Sequence, residues 1–205
     1  NGVKVTVMLE ELLAAGHKGA EYDAWLIRIG EGDQFGSGFV EINPNSKIPA
    51  LLDRSGSEPV RIFESGAILV YLADKTGRFL PREGAARYHT IQWLMFQMGG
   101  VGPMFGQIGF FHRYKGREIE DKRPRDRYVA ESRRLLGVLE TRLANEGGEP
   151  RDWLVGDYSI ADVATLGWVR NLIGFYEAGE IVGFADFARV SAWLERGLAR
   201  PAVQR

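Results

Sequence analysis

The sequence contains no cysteine. This absence excludes structural disulfides, thiolate metal sites and every mechanism that uses a cysteine nucleophile of the protein. Any thiol chemistry would therefore need a sulfur atom that arrives on a ligand. The three histidines, His17, His89 and His112, lack the spacing of metal ligands, so we interpret them as surface or partly packed imidazoles. The sequence predicts no metal site.

Long apolar runs and an excess of charge are also missing. No apolar run approaches the ~20 residues that are needed to span a bilayer. The formal net charge of -1 gives no electrostatic reason to bind nucleic acid or an anionic membrane. The basic stretch from Arg113 to Arg134 is interleaved with acidic residues, which favours a solvated helix face. We therefore expect neither nucleic acid nor a membrane as a partner.

Residues 1–77 mix helical and strand patterns, which predicts an α/β domain. Apolar residues recur at helical spacing over 3–13, and an aromatic and β-branched run over 22–29 is typical of a strand. A glycine-rich loop over 30–38 precedes two short strands, 48–53 and 60–63, that predict a hairpin, and then a helix over 67–75. Because a strand normally precedes the helix of a βα unit, we expect a first strand before Asn1 that this sequence lacks.

The rest of the chain has helical patterns only, so residues 85–205 are predicted to form an all-helical domain, with a linker at 78–84. Helices are expected over 85–97, 125–144 and 187–198, with another that begins at Ser159. Gly99, Gly100, Gly102 and Pro103 are expected to bend or break the first of them. The five tryptophans lie at core-like positions, and we interpret them as packing residues.

Three local motifs stand out. Pro49 at the start of a strand cannot donate a ladder hydrogen bond, and from the dipeptide alone a trans Ile48–Pro49 bond is favoured. Glu64-Ser65 lies where a strand ends and a helix begins; its N–H groups, hydroxyl and carboxylate match a zwitterionic amino-acid group, although an ordinary helix cap is the commoner outcome. The segment from Ser159 to Asp162 predicts a capping box with a role in folding.

Together these elements resemble the glutathione transferase superfamily, whose fold joins a thioredoxin-like domain to an all-helical domain. The resemblance is carried by the Lys47–Leu51 loop, the Glu64-Ser65 helix start and the Ser159–Asp162 motif, in that order. Segments 1–5, 32–35, 43–49, 63–69 and 92–107 are more closely similar to the nu-class bacterial glutathione-dependent disulfide-bond oxidoreductases. That class has a threonine two residues before the position of Asn1, outside this sequence.

The resemblance implies the residues of a glutathione site. Glu64 and Ser65 would hold the γ-glutamyl end, and Ile48, after which the class has a cis Pro49, would pair with the cysteinyl segment. Lys47 would meet the glycyl carboxylate, and Gln34 would line the edge of the peptide. Asn1 would approach the sulfur as the catalytic residue, and Arg127 would reach into the cleft from the helical domain.

The function implied is reduction of disulfide bonds by bound glutathione, a co-substrate, in a cytoplasmic homodimer that pairs through its first long helix. With no activating tyrosine or cysteine near the first helix, Asn1 and the helix start are expected to stabilise the thiolate. The glycines from Gly99 to Gly106 either make room for a second glutathione or allow close helix packing, and the sequence favours neither.

Two alternatives remain at this point. The first is a transferase that conjugates glutathione to small electrophiles; it would need an acceptor pocket, whose candidate residues are Met104, Phe105, Gln107, Phe110 and Phe111. The second is a glutathione-binding or regulatory module without catalysis, because a fold does not determine a function. The physiological substrate is not indicated by the sequence.

Overall fold

The computed structural model describes residues 1–205, except for the side chain of Ser37. Up to Gly77 the chain forms an α/β unit, and helices follow, which confirms the predicted order. The elements of the α/β unit are α1 (Gly2–Ala14), α2 (Ser37–Val40), β1 (Ala50–Asp53), β2 (Val60–Phe63) and α3 (Ser65–Thr76). Short 3₁₀ turns at Lys18–Ala20 and Asp33–Phe35 lie between α1 and α2.

The apolar face of α1 places the first helix against α3. Val5, Met8, Leu9 and Leu12 are buried at helical spacing, as the sequence predicted, and Ile68 is among the α3 residues in the same core. Met8 and Leu12 are 0% exposed. Complete burial of one such side chain contributes about 1.5–3 kcal/mol, so this seam is a main source of the unit's stability.

Strands β1 and β2 form the predicted antiparallel hairpin, with Ala50 opposite Phe63 and Asp53 opposite Val60. The prediction of a strand over 22–29 is wrong. These residues pair with no strand in the part of the chain that the structure describes, and Trp25 is 85% exposed. A β-branched and aromatic run forms a strand only where a neighbouring strand satisfies its backbone groups.

Helix α3 begins directly after β2 and ends where the sequence predicted. Gly77 follows it with φ of 67°, and its N–H bonds to the carbonyl of Ala73. Glycine adopts this left-handed conformation without the steric cost that a side chain brings, which explains the stop. The first residues of α3 therefore follow directly on β2, and the helix that they begin has a defined end.

The second part of the chain is built from helices around a common core. They are α4 (Gly84–Phe96), α5 (Gly102–Ile108), α6 (Arg123–Ala144), α7 (Ile160–Arg170), α8 (Ala188–Leu198) and α9 (Pro201–Gln204). Within the described residues, no helix is long and apolar enough to cross a bilayer. Helix α1 packs against α7 and α9 as well as α3, so the α/β unit and the helices share an interface.

The glycines after α4 do not break the chain's helical course. Gln97–Val101 forms a π-helical segment that leads directly into α5, and a second π segment follows at Gly109–Arg113. The expected break is therefore replaced by a widened turn, a feature often found at functional sites. The backbone stays in the right-handed helical region at Gly102 and Gly109.

The predicted capping box at the start of α7 is confirmed. The N–H of Ala161 donates to Ser159 Oγ at 3.3 Å, and the N–H of Ser159 donates to Asp162 Oδ2 at 3.0 Å. The other oxygen of Asp162 accepts from the N–H of Leu154 and from the indole of Trp193. Asp162 thus stabilises the helix start and also joins it to the preceding loop and to α8.

Candidate functional site

The start of α3 has the geometry of an anion site. Glu64 is the N-cap, with φ of 70° and ψ of 117°, and its side chain makes no capping hydrogen bond. The first intrahelical donor is the N–H of Ile68, so the earlier N–H groups of the helix are available to a ligand. A positive φ at glutamate is unfavourable, and such positions concentrate at functional sites. Ser65 follows directly and is 3% exposed.

The loop before β1 presents its backbone beside the hairpin. The Ile48–Pro49 bond is cis, as the resemblance implied and contrary to the expectation from the dipeptide alone. Ile48 is 38% exposed and Lys47 is exposed. Buried Asn43 donates its amide to the carbonyl of Lys47 at 2.5 Å and so anchors this loop. The role of Asn43 was missed, although an asparagine before a proline is a common turn signal.

The side chain of Asn1 is held from the helical part of the chain. Trp168, on α7, donates its indole N–H to Asn1 Oδ1 at 3.2 Å. The interpretation of all five tryptophans as packing residues is incomplete, because Trp168 packs against the core and also holds the side chain of Asn1. No local pattern marks it, because its contact partner lies far away in the sequence.

Lys4 contacts the start of α3, and sequence reasoning missed this contact. It occupies the first turn of α1 and is 3% exposed. Its Nζ donates to Gln97 Oε1 at 2.6 Å and to Ser65 Oγ at 3.2 Å, and it lies 3.6 Å from Met98 Sδ. Burial lowers the pKa of the Lys4 ammonium to about 7, against an opposing effect of the Glu64 carboxylate. The sequence signal that could have indicated this role is a lysine on the apolar face of α1, because a buried charge needs compensating partners.

The glycines after α4 serve close packing. A Cβ on Gly102 would lie 2.6 Å from Gln97 Nε2 and 3.1 Å from Trp168 Nε1. On Gly109 it would lie 2.6 Å from the ring of Tyr176. These contacts support the packing alternative of the two that the sequence left open. The glycines bring the π segment and α5 against Trp168, and thereby close to Asn1.

Two predicted residues stand apart from these contacts. Gln34 donates to the carbonyl of Ile29 at 3.3 Å, while its Oε1 is buried without a partner among the described residues. Arg127 is exposed on α6 and forms no ion pair within the part of the chain described. Their participation in the site stays a prediction.

The predicted acceptor pocket is only partly compatible with the structure. Phe105 is 0% exposed and belongs to the core, so its assignment to a substrate-accessible wall is wrong. Its position on α5 places it on the face of the helix that packs against the core. Gln107 is exposed, Met104 is partly buried, and Phe111 stacks on Tyr128 with ring centroids 5.6 Å apart. An apolar surface near the π segments therefore consists of Phe111 and Tyr128 more than of Phe105.

The cluster around the start of α3 combines cationic, anionic and backbone groups. Lys4, Ser65 and the helix N-terminus suit a carboxylate, and Glu64 suits an ammonium group. A groove with a volume of about 670 Å³ lies elsewhere, and its lining includes Trp93 and Arg142. Among the described residues, no group of three or more His, Asp or Glu side chains is arranged to hold a metal ion.

Comparisons with known proteins agree on one family. The model of the glutathione S-transferase N-terminal domain matches residues 3–74. Disulfide-bond oxidoreductase YghU of Escherichia coli is 49% identical over 208 residues, which cover 100% of this chain and 70% of that protein. Disulfide-bond oxidoreductase YfcG of the same organism is 43% identical over 209 residues, with 99% and 88% covered.

A solved structure gives the same fold. The crystal structure of a glutathione transferase from Burkholderia graminis, with two glutathione molecules bound per subunit, superposes with a TM-score of 0.90. It is 59% identical, and the match covers 99% of this chain and 81% of that one. The thioredoxin-like domain followed by a helical domain is therefore confirmed.

Proposed function

The chain belongs to the glutathione S-transferase superfamily, and we propose that it is a glutathione-dependent disulfide-bond reductase of the nu class. The observation that supports this proposal is the start of α3, where Glu64, Ser65 and the first N–H groups of the helix offer groups complementary to an amino-acid zwitterion. The names of the two Escherichia coli relatives support the reaction type.

Glutathione would lie along the edge formed by this helix start and the loop before β1. The γ-glutamyl carboxylate would meet Ser65 and the helix N-terminus, and its ammonium group would meet Glu64. The backbone of Ile48, which is an exposed residue, would pair with the cysteinyl residue, and Lys47 would meet the glycyl carboxylate. Gln34 and Arg127 would contribute at the edges. Each contact pairs a ligand group with its chemical complement.

The reaction needs a glutathione thiolate because the protein has no cysteine. The thiolate would attack one sulfur of the substrate disulfide, whose S–S bond breaks and whose leaving thiolate takes up a proton. A second glutathione thiolate would then attack the mixed disulfide. The products are glutathione disulfide and two substrate thiols, so two electrons pass from glutathione to the substrate. Asn1 would donate its amide N–H to the attacking sulfur and favour the thiolate.

The test compares two glutathione-dependent assays on the full-length protein. Reduction of bis(2-hydroxyethyl) disulfide should be rapid, while conjugation of chlorodinitrobenzene should be slow. The reverse result would make the protein a conjugating transferase, with Met104, Gln107 and Phe111 near the acceptor. If glutathione binds in a thermal-shift experiment but both assays stay silent, the protein is a binding module.

The receptor at α3 is tested by Ser65→Ala and Glu64→Gln. Each should raise the glutathione KM on the order of tenfold, because Ser65→Ala removes a hydrogen bond to the charged carboxylate and Glu64→Gln removes the negative charge that faces the ammonium group. Asp23→Asn, which changes an exposed carboxylate, is the matched control and should leave KM unchanged. Equal KM values for all the variants would remove the α3 start from the binding site.

We also propose a cytoplasmic homodimer that pairs through α4. Tyr88 and Met95 of this helix are 70% and 53% exposed, and the groove beside Trp93 offers further apolar surface. A cytoplasmic location fits the reaction because that compartment keeps its glutathione pool reduced. Sedimentation of the wild type should give a dimer, and Met95→Glu should shift it toward monomer. A monomeric wild type would contradict this part of the proposal.

A further inference from the structure

Lys4 is a buried cation without a buried anion. Among the described residues no carboxylate lies within ion-pair distance of its Nζ, and its partners are an amide oxygen, a hydroxyl and a thioether. Burial of a charged group is unfavourable unless a counter-charge compensates for it. The lowered pKa of this ammonium reflects that cost. An apolar residue at this position would serve the packing of α1 as well or better.

The hydrogen bonds of Lys4 place its ammonium group beside Ser65. Gln97 is 1% exposed and accepts one Nζ hydrogen at 2.6 Å, which fixes the ammonium from the helical domain. A second hydrogen bond leads to Ser65 Oγ at 3.2 Å. Because the ammonium donates to this oxygen, the hydroxyl hydrogen of Ser65 must point away from Lys4. In the absence of ligand it is directed to Met98 Sδ, 3.6 Å from Ser65 Oγ. A thioether sulfur is a weak acceptor, so a carboxylate oxygen of a bound ligand would replace it.

We propose that Lys4 is a positioning residue that orients the Ser65 hydroxyl and supplies the counter-charge for the γ-glutamyl α-carboxylate of glutathione. This inference rests on the proposed function. A carboxylate that accepts from Ser65 Oγ would lie about 5–6 Å from the Lys4 ammonium, since two hydrogen bonds of ~3 Å meet at the hydroxyl. At that range in a buried site the attraction between the charges is substantial. Ligand binding would then supply the anion that the buried lysine lacks.

The position of Gln97 extends the role of Lys4 across the domain boundary. Lys4 and Ser65 belong to α1 and α3, while Gln97 begins the π segment after α4. The ammonium therefore joins the ligand-binding helix start to the helical domain. A Gln97→Leu variant should weaken glutathione binding through the same route, without loss of any group that touches the ligand.

The experiment measures the affinity of two ligands by calorimetry. One is glutathione, and the other is 4-aminobutyryl-cysteinyl-glycine, which lacks the α-carboxylate of the γ-glutamyl residue. The wild type should prefer glutathione by about 10- to 100-fold, as expected for a hydrogen-bonded charged group. Lys4→Met should reduce that preference on the order of tenfold, while its thermal stability stays equal or rises because a buried charge is gone. Lys18→Met, which removes an exposed lysine just after α1, is the matched control and should keep the wild-type preference.

A structural role for Lys4 predicts a different pattern. The affinities for both ligands would fall by the same factor, the preference would be unchanged, and the thermal stability would drop; that result would overturn the inference. Lys4→Gln provides a second test that keeps hydrogen bonding without the charge, and it should also lose the preference. If the wild type binds neither ligand, the proposed function itself fails, and that outcome is seen before any variant is made.

Discussion

Trp168 donates its indole N–H to the side-chain carbonyl oxygen of Asn1 across 3.2 Å and thereby joins α7 to the residue before α1. Because this oxygen is engaged, the orientation of the amide is set and its NH₂ group is left to donate elsewhere. The same indole packs against Gly102 and Gly106. The helical domain thus determines the orientation of the group that we assign to the glutathione sulfur.

Trp168→Phe should lower kcat for disulfide reduction on the order of tenfold, with a smaller change in KM, because one hydrogen bond that positions Asn1 is lost. Asn1→Ala should have a similar or larger effect. If Trp168 acts through Asn1, the double variant should be no slower than Asn1→Ala alone. Trp153→Phe, which changes a tryptophan that packs on Tyr158, is the control and should keep the wild-type kcat. Additive losses would show that Trp168 acts independently of Asn1.

The elements predicted correctly are those whose signals are local. The apolar spacing of α1, the stop at Gly77 and the capping box at Ser159 each depend on residues within one or two helical turns. The hairpin of β1 and β2 likewise needs only neighbouring segments. The prediction of a strand over 22–29 was wrong because a strand needs a neighbouring strand to pair with, and the composition of a segment does not show whether one is present.

The candidate site is visible in the sequence only where a short motif marks it. Glu64 and Ser65 lie at a helix start that the sequence shows, whereas Lys4 and Trp168 contact residues that are distant in the sequence. Phe105 was assigned to the pocket wrongly because the apolar character of a helix segment does not show which of its residues face the core. The glycine run was ambiguous for the same reason, since its packing partners Trp168 and Tyr176 lie on other elements.

Gly102→Ala should destabilise the protein and weaken activity together. Its new Cβ would lie 2.6 Å from Gln97 Nε2, which is well inside van der Waals contact, and the adjacent indole of Trp168 would have to move. Overpacking of this kind costs about 1–3 kcal/mol. Gly99→Ala is the matched control, because nothing lies within 4 Å of its Cβ position; alanine there should be neutral or stabilise by up to ~1 kcal/mol. Urea unfolding and the disulfide assay measure both effects, and equal behaviour of the two variants would contradict the packing role of Gly102.

Asp53 should stabilise the fold at neutral pH and lose that effect in acid. The Lys75 ammonium holds the pKa of the Asp53 carboxyl well below its usual value, with support from the N–H of Ser55 and the hydroxyl of Tyr71. A carboxyl whose pKa is lower in the folded state contributes its stability above the unfolded pKa of ~3.9, and the contribution disappears as the pH falls toward the folded pKa. Asp53→Asn should therefore cost about 1 kcal/mol at pH 7 and progressively less below pH ~4.

The measurement for Asp53 is urea unfolding of both proteins between pH 7 and pH 3. Asp23→Asn serves as the control because Asp23 is exposed and forms no ion pair within the described chain; its stability should follow the wild type at every pH. A difference between Asp53→Asn and the wild type that stays constant down to pH 3 would show that the ionisation of Asp53 is not the cause.

Arg200 and Glu11 should form a coupled pair that fastens the C-terminal helices to α1. Arg200 donates Nε and Nη2 to the two oxygens of Glu11 at 2.5 and 2.7 Å, and its guanidinium lies 3.8 Å from the centroid of the Tyr158 ring. The Glu11 side chain is only 5% exposed, so Arg200→Met would leave a buried carboxylate without its partner and should cost about 3–5 kcal/mol. Adding Glu11→Leu to Arg200→Met should recover much of that loss, since removal of both charges is often close to neutral.

The control for this pair is Arg28→Met, which breaks an exposed i,i+3 pair with Glu31 in which both side chains are about 60% exposed. Such pairs contribute little, so this variant should lose less than ~1 kcal/mol. A double-mutant cycle by urea unfolding gives the coupling energy between Glu11 and Arg200. If Arg200→Met costs no more than Arg28→Met, the pair does not fasten the two parts of the chain, and the stability of their interface must come from the apolar contacts of α1 with α7 and α9 alone.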